Sequence, residues 1–306
     1  MARVRSAEEI RDLNTRYHDA AAPTYDAKWG IDFGPVGQGQ VVGKLRKAMR
    51  ANPAGYRRSL EIGAGTGYFS LNLLRAGIVQ DATCTDISPG MVASLSSNAR
   101  RLGLDVRTAR ADAESLPFAD ESFDLVLGHA VLHHVPNLPR AFAEFHRVLR
   151  SEGRIVFAGE PSLIGDRLAA VPKRTAATLA PIWRALWRAG VADGETADRS
   201  HHHGLEASVD IHAFSPGALA SYARAAGFRG VSVRGEELLA SWFGWFNRTL
   251  EATADPERVP MLWRRYAYGG YLLLQQLDSR VLEPRLPAAI FYNLLLTARK
   301  EVSSRS

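Results

Sequence analysis

Between Tyr56 and Glu160 the chain alternates short apolar runs with stretches whose apolar residues recur at helical spacing. Arg58–Ile62 is predicted as a first strand, running into the small-residue stretch Gly63–Gly67. A helix follows from Tyr68 to Ala76, with Gly77 just past its end, where a helix most readily stops in a left-handed turn. Ala82–Asp86 reads as a second strand. Ser88 and Pro89 then supply an N-cap and a first-turn proline for a helix that runs to Leu102 and closes at Gly103. Asp105–Arg110, Phe123–Gly128 and Gly153–Gly159 read as the third, fourth and fifth strands. Before the fifth, Leu138–Arg150 places Phe142, Phe145, Val148 and Leu149 on one helical face.

Strand–helix alternation of this kind predicts an α/β fold, a doubly wound and mostly parallel sheet with helices on both faces. The regularity stops after Glu160. Phe214–Gly227 reads as a further helix starting at Ser215-Pro216, Gly230–Arg234 as a sixth strand and Ile290–Lys300 as a seventh. Two long helical insertions, Pro161–His212 and Glu236–Pro287, break this second half. The expected organisation is an N-terminal segment (1–35), a core (36–160), the first insertion (161–212), a core continuation (213–235), the second insertion (236–287), and a last core strand with a tail (288–306).

Composition narrows the class rather than the function. With 46% hydrophobic and 23% charged residues the chain has an ordinary globular balance. No apolar run approaches the ~18–20 residues that span a bilayer, and the charged start Met1–Glu9 does not read as a signal peptide. The single cysteine, Cys84, excludes an internal disulfide and fits a reducing cytoplasm, where it is expected as a small buried apolar residue. A net charge of +6 tolerates an anionic partner, but the excess is spread out, as on a solvated basic surface.

The strongest chemical signal is Glu61-Ile-Gly-Ala-Gly-Thr-Gly67 at the turn from the first strand into the first helix. Glycines there let the backbone turn sharply and approach a ligand with no Cβ in the way. In open α/β sheets ligands sit at the carboxyl ends of the strands, where the strand order reverses. A dinucleotide fingerprint needs a glycine three places after the second, at position 68; that residue is Tyr68, which argues against a nicotinamide or flavin dinucleotide. Asp86 ends the second strand, where a carboxylate can accept both hydroxyls of a ribose. Asp112, after the third strand, is placed to take an adenine exocyclic amine.

With these residues in order the chain resembles the class I S-adenosylmethionine-dependent methyltransferases, in the branch holding ubiquinone and menaquinone C-methyltransferases and many small-molecule enzymes. The resemblance rests on Leu60–Gly67, Thr85–Ser88, Ala111–Phe118, Ser122–Val126, Val131–Val135 and Arg147–Arg154, and it covers roughly residues 56–160. It implies a Rossmann-like sheet of seven strands with the insertions forming a cap. It implies S-adenosylmethionine as cofactor and S-adenosylhomocysteine as product. By position, Glu61 and the turn Gly63, Ala64, Gly65, Gly67 should border the methionyl part. Asp86 should hold the ribose, with Ile87 and Met91 flanking the adenine and Asp112 and Ala113 at its edge. His129 should lie near the methyl donor, and Tyr17 and Tyr25 in a segment that closes over the cofactor.

An activated sulfonium needs a nucleophile aligned behind its methyl carbon and water kept out. Where the acceptor carries a proton, a base helps; His133 and His134, after the fourth strand, are the candidates, unless one of them only hydrogen-bonds the turn. His201-His-His203 reads as a solvated run, because neighbours on a helix point about 100° apart, and no metal is expected.

The insertions carry Trp183, Trp187, Trp242, Trp245 and Trp263, five of the six tryptophans. Helices packing on one another as a cap account for them, and an apolar floor under that cap points to a bulky hydrophobic acceptor such as a quinone, polyketide or lipid-like molecule. Pro161–Gly190, basic and amphipathic, could also meet a membrane surface. A nucleic-acid acceptor is not expected. Gly128-His-Ala-Val-Leu stands where amino-methylating enzymes of that fold carry Asn/Asp-Pro-Pro-aromatic, and Cys84 is in the wrong strand for cytosine C5 chemistry. Protein acceptors, a non-catalytic binder and another chemistry on the same cofactor stay open, and the oligomeric state is not legible.

Overall fold

A computed structural model describes residues 6–53, 55–191 and 211–301. Its strands are β1 (Tyr56–Ile62), β2 (Val79–Asp86), β3 (Arg107–Arg110), β4 (Phe123–His129), β5 (Leu149–Pro161), β6 (Arg229–Glu236) and β7 (Asn293–Arg299), in the sheet order β3-β2-β1-β4-β5-β7-β6. β3, β2, β1, β4 and β5 are parallel, and β7 runs antiparallel to both β5 and β6. The chain therefore leaves β1 toward one edge and returns to β4 on its other side, so the strand order reverses between β1 and β4.

Period-two side chains divide the interior into two cores. Ile155 and Phe157 of β5 join Leu60, Val126 and Leu296 on one face, while Val156 and Ala158 join Leu125, Leu127 and Leu295 on the other. The first face is covered by α6 (Leu138–Val148) and α8 (Pro216–Ala225), through Phe142, Phe145, Leu219 and Ala223. The second is covered by α3 (Pro35–Met49) and α4 (Tyr68–Arg75), through Val41, Leu45, Phe69 and Leu73, with Leu95 from α5 (Pro89–Leu102) beside them. Strands buried on both faces read as near-continuous apolar runs, which is why β4 and β5 stand out in the sequence.

The predicted elements shift mainly at their ends. The helix expected to reach Arg150 stops at Val148, because Leu149 already takes extended backbone and pairs with Phe123. β3 begins at Arg107, where pairing with Thr83 of β2 begins. Ser88 and Ser215 cap α5 and α8 as their sequences suggest, accepting from the N–H groups of Met91 and Ala218 at 3.0 and 3.1 Å.

Before the sheet lie α1 (Ala7–Ala21), α2 (Tyr25–Trp29) and α3. The insertions contain α7 (Leu163–Trp187), α9 (Leu239–Ala252) and α10 (Met261–Leu277). Ala176, Ala180 and Trp183 of α7 pack on Leu250 of α9 and on Ala254 and Val259 beyond it, so these helices do form a cap with its own small core. The His201–His203 run lies outside the described residues. Among the described residues no helix is long and apolar enough to cross a membrane.

Candidate functional site

The chain leaves β1 in a left-handed step at Gly63 (φ 60°), and a side chain there would sit 2.3 Å from Val131 Cγ2. Only glycine meets both demands. Gly65 follows, also left-handed (φ 54°), and its N–H donates to Asp86 Oδ2 at 2.9 Å. The other oxygen of Asp86 accepts from the Ser88 N–H at 2.9 Å. Asp86 thus ties the glycine turn to the start of α5. Burial pushes its carboxyl above the ordinary range, and the charge of His18 pulls it part of the way back.

Glu61 stands one layer deeper. It is buried behind the turn, accepts from the Ser70 N–H at 2.9 Å, and burial raises its carboxyl to about 7. Beyond β3, Asp112 accepts from the Glu114 N–H at 2.9 Å and pairs with Arg11 Nε at 2.8 Å; the buried Glu114 takes Arg11 Nη2 at 2.5 Å.

α1 lies across this rim and is fastened at several points. Arg11 makes the two ion pairs just described. Asn14 Nδ2 donates to the His134 carbonyl at 3.3 Å, and Asp19 Oδ1 accepts from Ser88 Oγ at 2.5 Å and from the Gly90 N–H at 2.8 Å. Arg11, Asn14 and His18 are three and four residues apart, so one face of α1 meets the rim.

The opposite wall follows β4. His129 stacks on Phe69, centroids 4.8 Å apart, and burial lowers its pKa to about 4, so it is neutral at physiological pH. Ala130 (φ 52°) turns the chain into the short helical turn Leu132–His134. Glu160, near the end of β5, organises that turn. It accepts from the N–H groups of Val131 and Leu132 at 3.0 Å each and from His133, through the backbone at 3.2 Å and Nδ1 at 2.9 Å. Burial alone would raise its carboxyl, but the His133 bond and the backbone donors hold it below the ordinary range.

These walls line a cleft that is open on one side. Tyr25, Gly63, Gly65, Asp86, Ile87 and Met91 line it, as do Asp112, Ala113, His129 and His134. Tyr17, Glu61, Ala64, Gly67 and His133 do not: Tyr17 is buried beside Lys28 and His18, Gly67 starts α4, and His133 faces Glu160. The two adjacent histidines are thereby separated in kind, His134 on the cleft wall and His133 in the support behind it. Sequence reasoning missed Arg11, Asn14, His18 and Glu160. The first three carried a signal in their shared helical face, whereas Glu160 is one acid at the end of an apolar strand with nothing local to mark it. Among the described residues no cluster of three or more metal-ligating side chains forms.

Residues 60–157 match a family described as a methyltransferase domain. The chain is 37% identical over 163 residues to a malonyl-acyl-carrier-protein O-methyltransferase of Methylococcus capsulatus, 48% of this chain and 58% of that protein. Such matches span about half the length of the curated relatives. Its fold is similar to that of phosphoethanolamine N-methyltransferase 2 of Haemonchus contortus in complex with phosphomonomethylethanolamine and S-adenosylhomocysteine. That likeness has a TM-score of 0.59 at 17% identity and covers 97% of this chain and 61% of that one. It is equally similar to the (4+2)-cyclase SpnF, at a TM-score of 0.59 and 20% identity over 98% of both chains.

Proposed function

We propose that this chain, whose residues 60–157 match a methyltransferase-domain family, is a class I S-adenosylmethionine-dependent methyltransferase that transfers the methyl group of S-adenosylmethionine to a small hydrophobic acceptor at oxygen or carbon. The observation that carries this reading is the cleft itself. A left-handed glycine turn, the Asp86 carboxylate and the Ile87–Met91 apolar wall converge in it under one face of α1.

The donor set fits the cofactor. Asp86 uses each oxygen once toward backbone and keeps lone pairs for two ribose hydroxyls. Ile87 and Met91 offer apolar surface to a purine, and Asp112 and Ala113 lie at its edge. The bare backbone of Gly63 and Gly65 allows close approach of the methionyl end. When bound, S-adenosylmethionine supplies a methyl carbon already activated by its sulfonium and leaves as S-adenosylhomocysteine.

The chain's own work is binding, orientation and proton handling. α1 excludes water by closing one side of the cleft. His129, neutral and stacked, offers an uncharged wall beside a cationic sulfonium, so it does not repel it. An imidazole nitrogen of His134 takes the proton of an acceptor hydroxyl or acidic carbon. Glu160 and His133 act behind it by fixing the turn that carries it. Tyr17 and Tyr25 belong to the same closing segment, and a reducing cytoplasm is the compartment proposed. The ubiquinone/menaquinone C-methyltransferase among the relatives favours a hydrophobic acceptor. The acyl-carrier-protein relatives favour a second reading, an acyl acceptor presented on a carrier protein.

The test is methyl transfer from labelled S-adenosylmethionine to a panel of phenols, quinols, acyl-carrier thioesters, proteins and RNA, read by mass. Label in the small apolar compounds supports the first reading, and label in the thioesters alone supports the second. Label confined to proteins or RNA contradicts both.

A further inference from the structure

The cap helices bury one face and leave another bare. In α7, Gly165, Ala169, Ala176, Ala180 and Trp183 are buried. Ile164, Val171, Leu179, Ile182 and Leu186 fall on a different face, within an arc of about 80° at 3.6 residues per turn. Val171, Ile182 and Leu186 are 58%, 69% and 77% exposed. At a rise of about 1.5 Å per residue this stripe is about 33 Å long. Exposed Arg167 and Arg174 flank it on the side away from the buried face. α10 presents a second exposed stripe. It has no buried residue, and Leu262, Leu273 and Leu277 share an arc of about 60° beside Arg265, with Leu262 and Leu273 each 68% exposed.

A long apolar ridge on a folded surface marks a contact with something. Its charge says what. Beside the two stripes stand Arg167, Arg174 and Arg265, and no acidic residue of either helix lies on that side. A second copy of this chain docked symmetrically would set these basic helices against themselves. A bilayer with anionic headgroups satisfies both features: the ridge enters the headgroup–acyl boundary while the arginines meet phosphates.

We propose that the exposed stripes of α7 and α10 dock this chain on the surface of an anionic phospholipid bilayer. The surface stands on its own observations. It rests on the proposed function only in its consequence, that a hydrophobic acceptor is met where it is dissolved.

The test is co-sedimentation of the full chain with phosphatidylcholine vesicles, with and without about 30% phosphatidylglycerol, at low and high salt. The wild type pellets with the anionic vesicles, and added salt weakens the binding. The triple change Val171→Ser, Ile182→Ser, Leu186→Ser lowers partitioning at least about tenfold. The double change Arg167→Glu, Arg174→Glu does the same and reduces the salt dependence. These positions are on the surface, and unchanged S-adenosylhomocysteine calorimetry shows that each variant is folded. Wild-type protein that stays in the supernatant, or a triple variant that partitions like it, overturns the proposal. So does a dimer that the triple change dissociates while no vesicle is bound. No turnover is measured, so the wrong acceptor would leave this result standing.

Discussion

His133 and His134 differ in what they touch, and that difference makes separate predictions for neighbouring residues. His134→Ala removes a cleft wall group and is expected to lower kcat about 10²-fold or more on acceptors that must lose a proton, with cofactor affinity little changed. His133→Ala leaves buried Glu160 short of a partner and is expected to cost about 1–3 kcal/mol of stability, read as a lowered urea midpoint. Steady-state kinetics over a pH series, together with urea unfolding, separates the two. An equal loss of kcat from both would contradict the assignment.

Glu61 adds a pH effect. Its carboxyl, raised to about 7 by burial, is protonated below that pH. A cation in the adjoining cleft favours the ionised form, so affinity for S-adenosylmethionine is expected to rise as pH increases through 7, with proton release on binding. Glu61→Gln flattens that profile; calorimetry in buffers of different ionisation heat measures it. Most of the cleft was legible because motif residues lie at strand ends, where the period-two pattern places them. Glu61 and His133 were read as cleft residues because sequence does not distinguish a side chain that lines a cavity from one that holds the lining.

Among elements, α3 was the least legible. Gly37, Gly39 and Gly43 dilute its helical signal, yet Gly37, Val41, Leu45 and Ala48 form its buried face. Gly37 is required by contact: a Cβ there would lie 1.8 Å from the Asp32 carbonyl oxygen. α3 is also held to the end of β6 by charge. Lys44 contacts Glu236 and Glu237, and Lys47 bridges Glu236 and Glu283 at 3.0 Å each. Burial would raise the Glu236 carboxyl, but the two lysines outweigh it and hold it at about 2.

Its folded pKa lies below its unfolded value. The stability it contributes is therefore full above about pH 4.3 and is lost as pH falls toward 2. Thermal unfolding across that range should show the acid limb, and Glu236→Gln should flatten it while costing about 3 kcal/mol near neutrality, because Lys44 keeps only Glu237. The same balance run upward predicts loss at high pH, since burial would lower Lys44 but these carboxylates outweigh it and raise it well above the lysine range. These pairs join residues 189 to 236 positions apart, a separation that local periodicity does not report.

For the whole molecule, the five parallel strands follow from alternation in the sequence, and the antiparallel β7 with β6 beyond it completes the sheet past β5. The insertions were recognisable as helical from their tryptophans, but the exposed stripes became visible only once the buried face of α7 and the exposure of α10 were known. The proposed function and the proposed docking then fall on separate regions, the cleft at the carboxyl ends of β1, β2 and β4 and the exposed stripes of α7 and α10.

The account stands on the cleft. Calorimetric titration of the full chain with S-adenosylhomocysteine tests it most directly. The expected result is one saturable site per chain, with Asp86→Ala weakening it about 30-fold or more through loss of a buried charged acceptor. A folded protein that releases no heat with this compound, or an Asp86→Ala variant that binds it as the wild type does, would contradict the account.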